Sequence, residues 1–361
     1  MRVRSIYGYR VNIPFKIKVT HSLFQRTETE SLIVVVEDSS GTKGYGEGAP
    51  RSYVTGESLD ETFKALDFFG PLLSDKGDVS AEGLMRIINE LRTVHSAQVF
   101  PSCWCAVETA LLDLVGKLEG KPLWRLFISH PSACDFIYSA VLPLMPDSKS
   151  LLELAELAAS LAMRFVKAKV ADLKSGVETV RLLRSQLGSQ VDIRVDANGA
   201  FSAAEALEFL HEVEEYGISA IEQPVPKTDL AGLGEVTRHS RIPVLADESL
   251  CSLDDARYLI ENGLCTGFNI RLSKCGGIMN SLAIWRLASA HGLVCQLGCH
   301  VGETAILAAA GRHMAAISGQ FAYLEGSFSK YVLSEDLAAE EISFGKSGAA
   351  PLLAGPGLGL T

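Results

Sequence analysis

Phe165-Val166-Lys167-Ala168-Lys169, Asp192-Ile193-Arg194-Val195-Asp196-Ala197-Asn198 and Ala220-Ile221-Glu222-Gln223-Pro224 are three short β-rich runs, each closing on charged residues and each followed by a helical stretch. The same theme runs through the chain from about residue 135. Its strand candidates are Ile137–Leu142, Phe165–Val170, Asp192–Asp196, Ala220–Gln223, Pro243–Ala246, Phe268–Leu272, Val294–Leu297 and Phe321–Leu324. Strands that alternate with helices pair in parallel, and eight such units close into a barrel. An open doubly wound sheet is the competing architecture, but no G-x-G-x-x-G phosphate turn follows the first strand.

In a barrel the chemistry sits at the carboxyl ends of the strands. The second strand ends Lys167-Ala168-Lys169, whose alternation sends both amines to the interior. The third ends Asp196-Ala197-Asn198, the fourth Glu222-Gln223-Pro224, the fifth Asp247-Glu248-Ser249 and the sixth Ser273-Lys274-Cys275-Gly276-Gly277. Singly, such carboxylates cap the next helix and such lysines are solvated. Together they recur every 25–27 residues at the same end of each unit. Three carboxylates converging on one mouth repel strongly without a cation. An oxygen-only donor set suits a hard divalent ion, Mg²⁺ before Mn²⁺. Lys169 and Lys274 then flank that ion. An amine beside a cation has its pKa lowered and serves as a general base, removing a proton next to a carboxylate while the metal stabilises the enolate.

Outward from the barrel, residues 1–130 read as a smaller α+β unit. Ser31–Glu37 is a strand, Asp38-Ser39-Ser40-Gly41 its turn, and Gly44-Tyr45-Gly46-Glu47 the return. Residues 58–95 carry apolar side chains at helical intervals, and a further helix runs from Cys105 to the Gly120-Lys121-Pro122 breaker. The barrel is expected over 131–330, and 331–361 as an extended closing segment returning to the first unit. The 33 Lys and Arg stand against 43 Asp and Glu, a formal charge of −10 with no basic cluster, which disfavours a nucleic-acid partner. No apolar run is long enough for a membrane span, no apolar signal core opens the chain, and the eight cysteines form no C-x-x-C pair. A cytoplasmic protein with buried thiols is the expectation.

The set K-x-K, D-x-N, E-Q-P, D-E-S and S-K-C-G-G resembles the enolase superfamily, specifically its muconate-lactonizing subgroup, along nearly the whole chain. The resemblance implies a modified (β/α)₇β barrel of the TIM type with an α+β capping domain, and a small-molecule carboxylate as substrate. It implies Asp196, Glu222 and Asp247 as metal ligands, Lys169 and Lys274 as the acid/base pair, and Lys167 as a helper that steadies the enolate. It also implies a homo-oligomer, since the family forms dimers or octamers. Substrate contacts are expected from Asn198, Glu248, His300, Glu325, Thr55 and His21. Gly44–Glu47 and Tyr53-Val54-Thr55-Gly56-Glu57 look like the dipeptide epimerases, in which loops there close over substrate; a hairpin with a helix entry at Thr55 explains the glycines equally well. His300 is read as a substrate contact or a structural loop histidine, and His21 lies near a lid over 20–26. Those epimerases carry an Asp-x-Asp on the eighth strand that grips the substrate ammonium, where this chain has Tyr323-Leu324-Glu325. The expected function is a Mg²⁺-dependent racemase or epimerase of an amino-acid derivative. A muconate-type cycloisomerase, an o-succinylbenzoate synthase, and a non-catalytic binding relative are the alternatives.

Overall fold

The computed structural model describes residues 2–20, 25–74, 77 and 80–361; His21 lies outside them. Eight parallel strands form one sheet: β1 (Ala140–Leu142), β2 (Phe165–Lys169), β3 (Asp192–Asp196), β4 (Ile221–Glu222), β5 (Val244–Ala246), β6 (Gly267–Ile270), β7 (Val294–Leu297) and β8 (Tyr323–Leu324), each paired with the next. A parallel bridge between Tyr138 and Leu324, with Ser139 N donating to Leu324 O at 2.8 Å, joins the two edges. The helices Ser148–Ser160, Leu173–Leu187, Ala203–Glu212, Leu230–His239, Leu253–Glu261, Gly277–Ala290 and Ala305–Ser318 lie between them, giving the expected (β/α)₇β order. Six of these helices open on a side-chain cap, from Asp147, Asp172, Ser202, Asp229, Ser252 and Thr304, with reciprocal capping boxes at Ser202/Glu205 and Ser252/Asp255. Each such cap satisfies an orphan amide and contributes about 1 kcal/mol. The strands are buried on both faces, as a barrel covered by helices requires.

Two expected strands are redrawn. The run Ile137–Leu142 is split: Asp135–Ile137 pairs antiparallel with Ala349–Pro351 of the closing segment, and the chain then crosses at Tyr138 and Ser139 to enter β1. The sixth strand stops at Ile270, and Leu272–Cys275 is a single helical turn ended by Gly276 in the left-handed region. Lys274 therefore projects from a helical turn.

In front of the barrel, Val3–Val11, Ser31–Asp38 and Lys43–Gly48 form an antiparallel sheet, packed on Leu59–Ser74 and Pro101–Leu118. The last helix starts four residues before the expected Cys105, because Pro101 can occupy its first position. The closing segment pairs Gly357 with Pro122 and passes Leu358 N to Asp113 Oδ1 at 2.7 Å. Trp104 and Trp124 are buried, as are six of the eight cysteines. No helix among the described residues is long and apolar enough to cross a membrane.

Gly44, Gly46 and Gly48 have a packing reason. A Cβ on each would run into the carbonyl oxygens of Ala110, Ala106 and Ser102 in turn, along one face of the helix Pro101–Leu118. Strand and helix thus touch backbone to backbone, a separation that only glycine permits.

Candidate active site

The strand register gathers the charged residues. Lys169, Asp196 and Glu222 are successive pairing partners across β2, β3 and β4, and so form one layer of the interior. Lys167 and Arg194 pair in the layer beneath. In a ring of eight, β2 and the turn after β6 lie on opposite walls, so Lys169 and Lys274 come from opposite sides of the mouth.

Their side chains form a continuous network. Lys169 Nζ donates to Asp196 Oδ2 at 3.0 Å and to Asn198 Oδ1, and Asn198 Nδ2 donates to Glu248 Oε1 at 3.1 Å. Lys167 Nζ donates to Glu222 Oε2 at 3.0 Å and Glu325 Oε2 at 2.9 Å, and lies 3.5 Å from Asp196 Oδ2. Glu222 also accepts from Asn269 Nδ2 at 2.6 Å and Gln296 Nε2 at 2.9 Å. Lys274 Nζ donates to Asp247 Oδ1 at 2.7 Å, Asp247 O at 2.6 Å and Asn269 O at 2.8 Å. Arg271 Nη2 bridges Glu222 Oε1 at 3.3 Å and Asp247 Oδ2. All of these side chains are buried. Asn198 (φ +45°) and Gln223 (φ +37°) hold the left-handed conformation directly after the strand ends, where strain in non-glycine residues marks a site. Gln223 ties β4 to β5, accepting from Asp247 N at 3.0 Å and Ser249 N at 3.2 Å.

Burial alone would raise the pKa of Glu222, yet Lys167 and Arg271 hold it well below the usual carboxylate range. Burial likewise works against Asp196, whose pKa is brought down by Lys169 and Lys167. Burial would lower Lys274, but the Asp247 carboxylate raises it, so in this charge set it is an ammonium. The lowered amine expected from the sequence requires a cation beside it, and remains the expectation for the ion-bound chain.

Of the expected substrate contacts, Glu325 and Thr55 are held by other side chains. Glu325 is committed: Oε1 accepts from Arg194 Nη2 at 2.6 Å while Oε2 accepts from Lys167. Tyr323 lies against Arg194, whose guanidinium carbon is 4.3 Å from the ring centroid. Thr55 Oγ1 donates to Glu57 Oε2 at 2.7 Å, apart from the barrel network. His300 is buried with neither ring nitrogen partnered. Burial, then the charges of Arg271, Arg51, Lys274 and Arg26, depress its pKa well below normal, so its imidazole is neutral. The sequence reading missed Arg194, Asn269, Arg271 and Gln296. The signal was period two: Arg194 precedes Asp196 as Lys167 precedes Lys169, and Asn269 precedes Arg271 in the same way.

The donor set suits a hard divalent ion. Asp196, Glu222 and Asp247 offer only oxygen, and the Glu222 and Asp247 carboxylates come within hydrogen-bonding reach of each other. Among the described residues, however, no three acidic, imidazole or thiol side chains stand at ligand spacing. Lys167 and Arg271 stand between them.

A family model for the enolase C-terminal domain-like fold matches residues 150–361. Over 317 residues the chain is 28% identical to the hydrophobic dipeptide epimerase of Enterococcus faecalis, covering 88% of this chain and 87% of that one. It is 29% identical over 318 residues to the N-succinyl-L-Arg/Lys racemase of Bacillus cereus, covering 87% and 84%. The crystal structure of a dipeptide epimerase from Enterococcus faecalis, complexed with Mg and L-Leu-L-Tyr, superposes with a TM-score of 0.91 at 26% identity over the full length of both chains. The opposed lysines, the three strand-end carboxylates and this match along most of the chain agree: the chain belongs to the enolase superfamily, in its muconate-lactonizing subgroup, and is an isomerase.

Proposed function

We propose that this isomerase inverts the α-carbon of an amino-acid derivative whose nitrogen is acylated, by two-base proton transfer with Mg²⁺. The observation that carries the reading is the placement of Lys169 and Lys274 on opposite walls with three carboxylates around the mouth between them. Asp196, Glu222 and Asp247 would hold the ion, which supplies the counter-charge for an enolate. Lys169 Nζ removes or returns a proton on one face of the α-carbon, and Lys274 Nζ does so on the other. Lys167, one layer below, keeps a positive charge beneath the reacting carboxylate. The free cysteines, most of them buried, fit a reducing, cytoplasmic setting.

Substrate class follows from charge. A free dipeptide ammonium needs a carboxylate, yet both oxygens of Glu325 are taken by Arg194 and Lys167. Tyr323 covers Arg194 at the other position of the pair. His300, neutral and unpartnered, offers one donor and one acceptor, the complement of an amide. N-acyl amino acids whose acyl group carries no free ammonium are therefore preferred to L-Ala-L-Glu-like dipeptides, which share the amide but add that charge; the Bacillus cereus relative is named for an N-succinyl substrate.

The test is α-proton exchange in D₂O over N-acyl amino acids, free dipeptides and muconate-type acids. Lys274→Ala should stop inversion yet leave exchange of one enantiomer, and Lys169→Ala should leave exchange of the other. If neither variant exchanges either enantiomer, or one retains full inversion, two-base transfer is wrong and cycloisomerisation takes its place. An L-Ala-L-Glu epimerase activity with kcat/KM above about 10⁴ M⁻¹s⁻¹ would overturn the acyl preference.

A further inference from the structure

We propose that Arg271 is a built-in stand-in for the divalent ion: in the metal-free chain its guanidinium neutralises Glu222 and Asp247, and on ion binding it withdraws to Glu248. The inference rests on the metal assignment made above.

Four observations support it. Arg271 Nη2 alone touches Glu222 Oε1 and Asp247 Oδ2, so one nitrogen stands between two carboxylates assigned to the ion. The carboxylates assigned to the ion already have cationic partners: Lys169 and Lys167 at Asp196, Lys167 and Arg271 at Glu222, and Arg271 and Lys274 at Asp247. Two ends are left open: Arg271 Nε has no partner, and neither has Glu248 Oε2, both buried. Glu248 is tied into the same network by Asn198 Nδ2, which donates to its Oε1 at 3.1 Å and leaves Oε2 as the acceptor for a displaced guanidinium.

The residue type decides the manner of exchange. A lysine between the same carboxylates can leave by losing its proton, but a guanidinium stays charged in any protein and must move as a whole. Seating a doubly charged ion against Glu222 and Asp247 with Arg271 still between them would put three positive charges on two carboxylates. The ion then adds two positive charges to the mouth, and the carboxylate of an incoming substrate offsets one. Ion binding thus clears the mouth and turns it into an anion receptor in a single exchange.

The experiment is Mg²⁺ titration by calorimetry of the EDTA-stripped full chain, with thermal unfolding in EDTA and in Mg²⁺. Arg271→Met should bind Mg²⁺ about 10-fold tighter or more, since no charged hydrogen bonds have to be broken first. It should also melt lower in EDTA and gain more from Mg²⁺ than the parent chain. Glu248→Gln should bind about 10-fold more weakly, because the guanidinium loses its destination. Should the methionine variant fail to fold, Arg271→Lys keeps a compact cation and should show tighter binding by a smaller factor. Unchanged or weaker binding in the Arg271 variants, with binding still lost in Asp247→Asn, would overturn the exchange and leave the metal site standing. Binding undiminished in Asp247→Asn would instead overturn the metal assignment itself.

Discussion

The barrel mouth and the seam between cap and barrel both bury acidic side chains, but they partner them in different ways. In the mouth each acid meets at least one cation or a cation-bound amide, as Asp196 meets Lys169 and Glu222 meets Lys167 and Arg271. At the seam the acids sit on helix starts. Glu47 accepts from Thr304 N, Thr304 Oγ1 and Leu307 N at 2.7–3.1 Å, at the head of Ala305–Ser318. Glu57 accepts from Ser102 N and Oγ at the head of Pro101–Leu118, and Glu108 Oε2 from Ile278 N and Met279 N at the head of Gly277–Ala290. Helix amides and their dipole offer partial charges that do not move. Paired side chains can be exchanged for an ion or a substrate, and fixed amides cannot. One arrangement suits chemistry, the other suits bolting.

The largest effect that separates the regions is on turnover. Asp196→Asn, Glu222→Gln or Asp247→Asn should each take α-proton exchange to background and abolish Mg²⁺ binding, with the circular dichroism of the barrel retained. Retained turnover in EDTA, with metal absent by elemental analysis, would erase the distinction.

Glu325→Gln comes next, and reads as stability. It leaves Arg194 and Lys167 short of a buried counter-charge, and breaking such a pair costs about 3–5 kcal/mol in a denaturant melt. A change below about 1 kcal/mol would mean that the layer beneath the mouth is not held by charge.

Gly46→Ala tests the seam in turn. Its methyl meets the Ala106 carbonyl, and overpacking of this kind costs about 1–3 kcal/mol. The same melt measures it, and a neutral outcome would show that strand and helix can part without penalty.

The smallest effect concerns pH. Glu108 is pushed up to about 8 by burial, against the lowering from the Met279 and Ile278 amides. A raised acid binds its proton more tightly when folded, so its contribution is complete below the unfolded value near 4.5 and falls away as pH rises through about 8. Between pH 7 and 8 the parent chain should lose about 1 kcal/mol relative to Glu108→Gln. Parallel stability curves for the two proteins would show that Glu108 is ionised throughout.

The barrel was legible because a closed parallel sheet repeats itself: equal βα units put the strand-end residues at equal spacing, and three carboxylates with two lysines have few common uses. Arg194 and Arg271 escaped notice because an arginine inside an apolar strand reads as an interruption until its facing carboxylate is known. The seam was illegible for a different reason. Glu108 meets Ile278 across 170 residues and Glu47 meets Thr304 across 257, so no local pattern announces either contact. The Gly44-Tyr45-Gly46-Glu47 stretch that resembles a substrate loop serves in this structure as a spacer and a helix cap. Lys274 follows the sixth strand, but its helical turn depends on Gly276 adopting a left-handed conformation that spacing alone does not reveal.

The contact of Gly44, Gly46 and Gly48 with Ala110, Ala106 and Ser102 works as a vernier. Two strand residues advance about 6.6 Å and four helix residues about 6.0 Å, so the two scales slip by roughly 0.6 Å per tooth and coincide for only a few. Three teeth are what the chain has. A single inserted residue between Gly44 and Gly48 would shift the strand by half a tooth, turn side chains into the helix, and carry Glu47 away from Thr304. The damage would then surface at the loop after the seventh strand, some 250 residues downstream of the insertion, with no mouth residue altered.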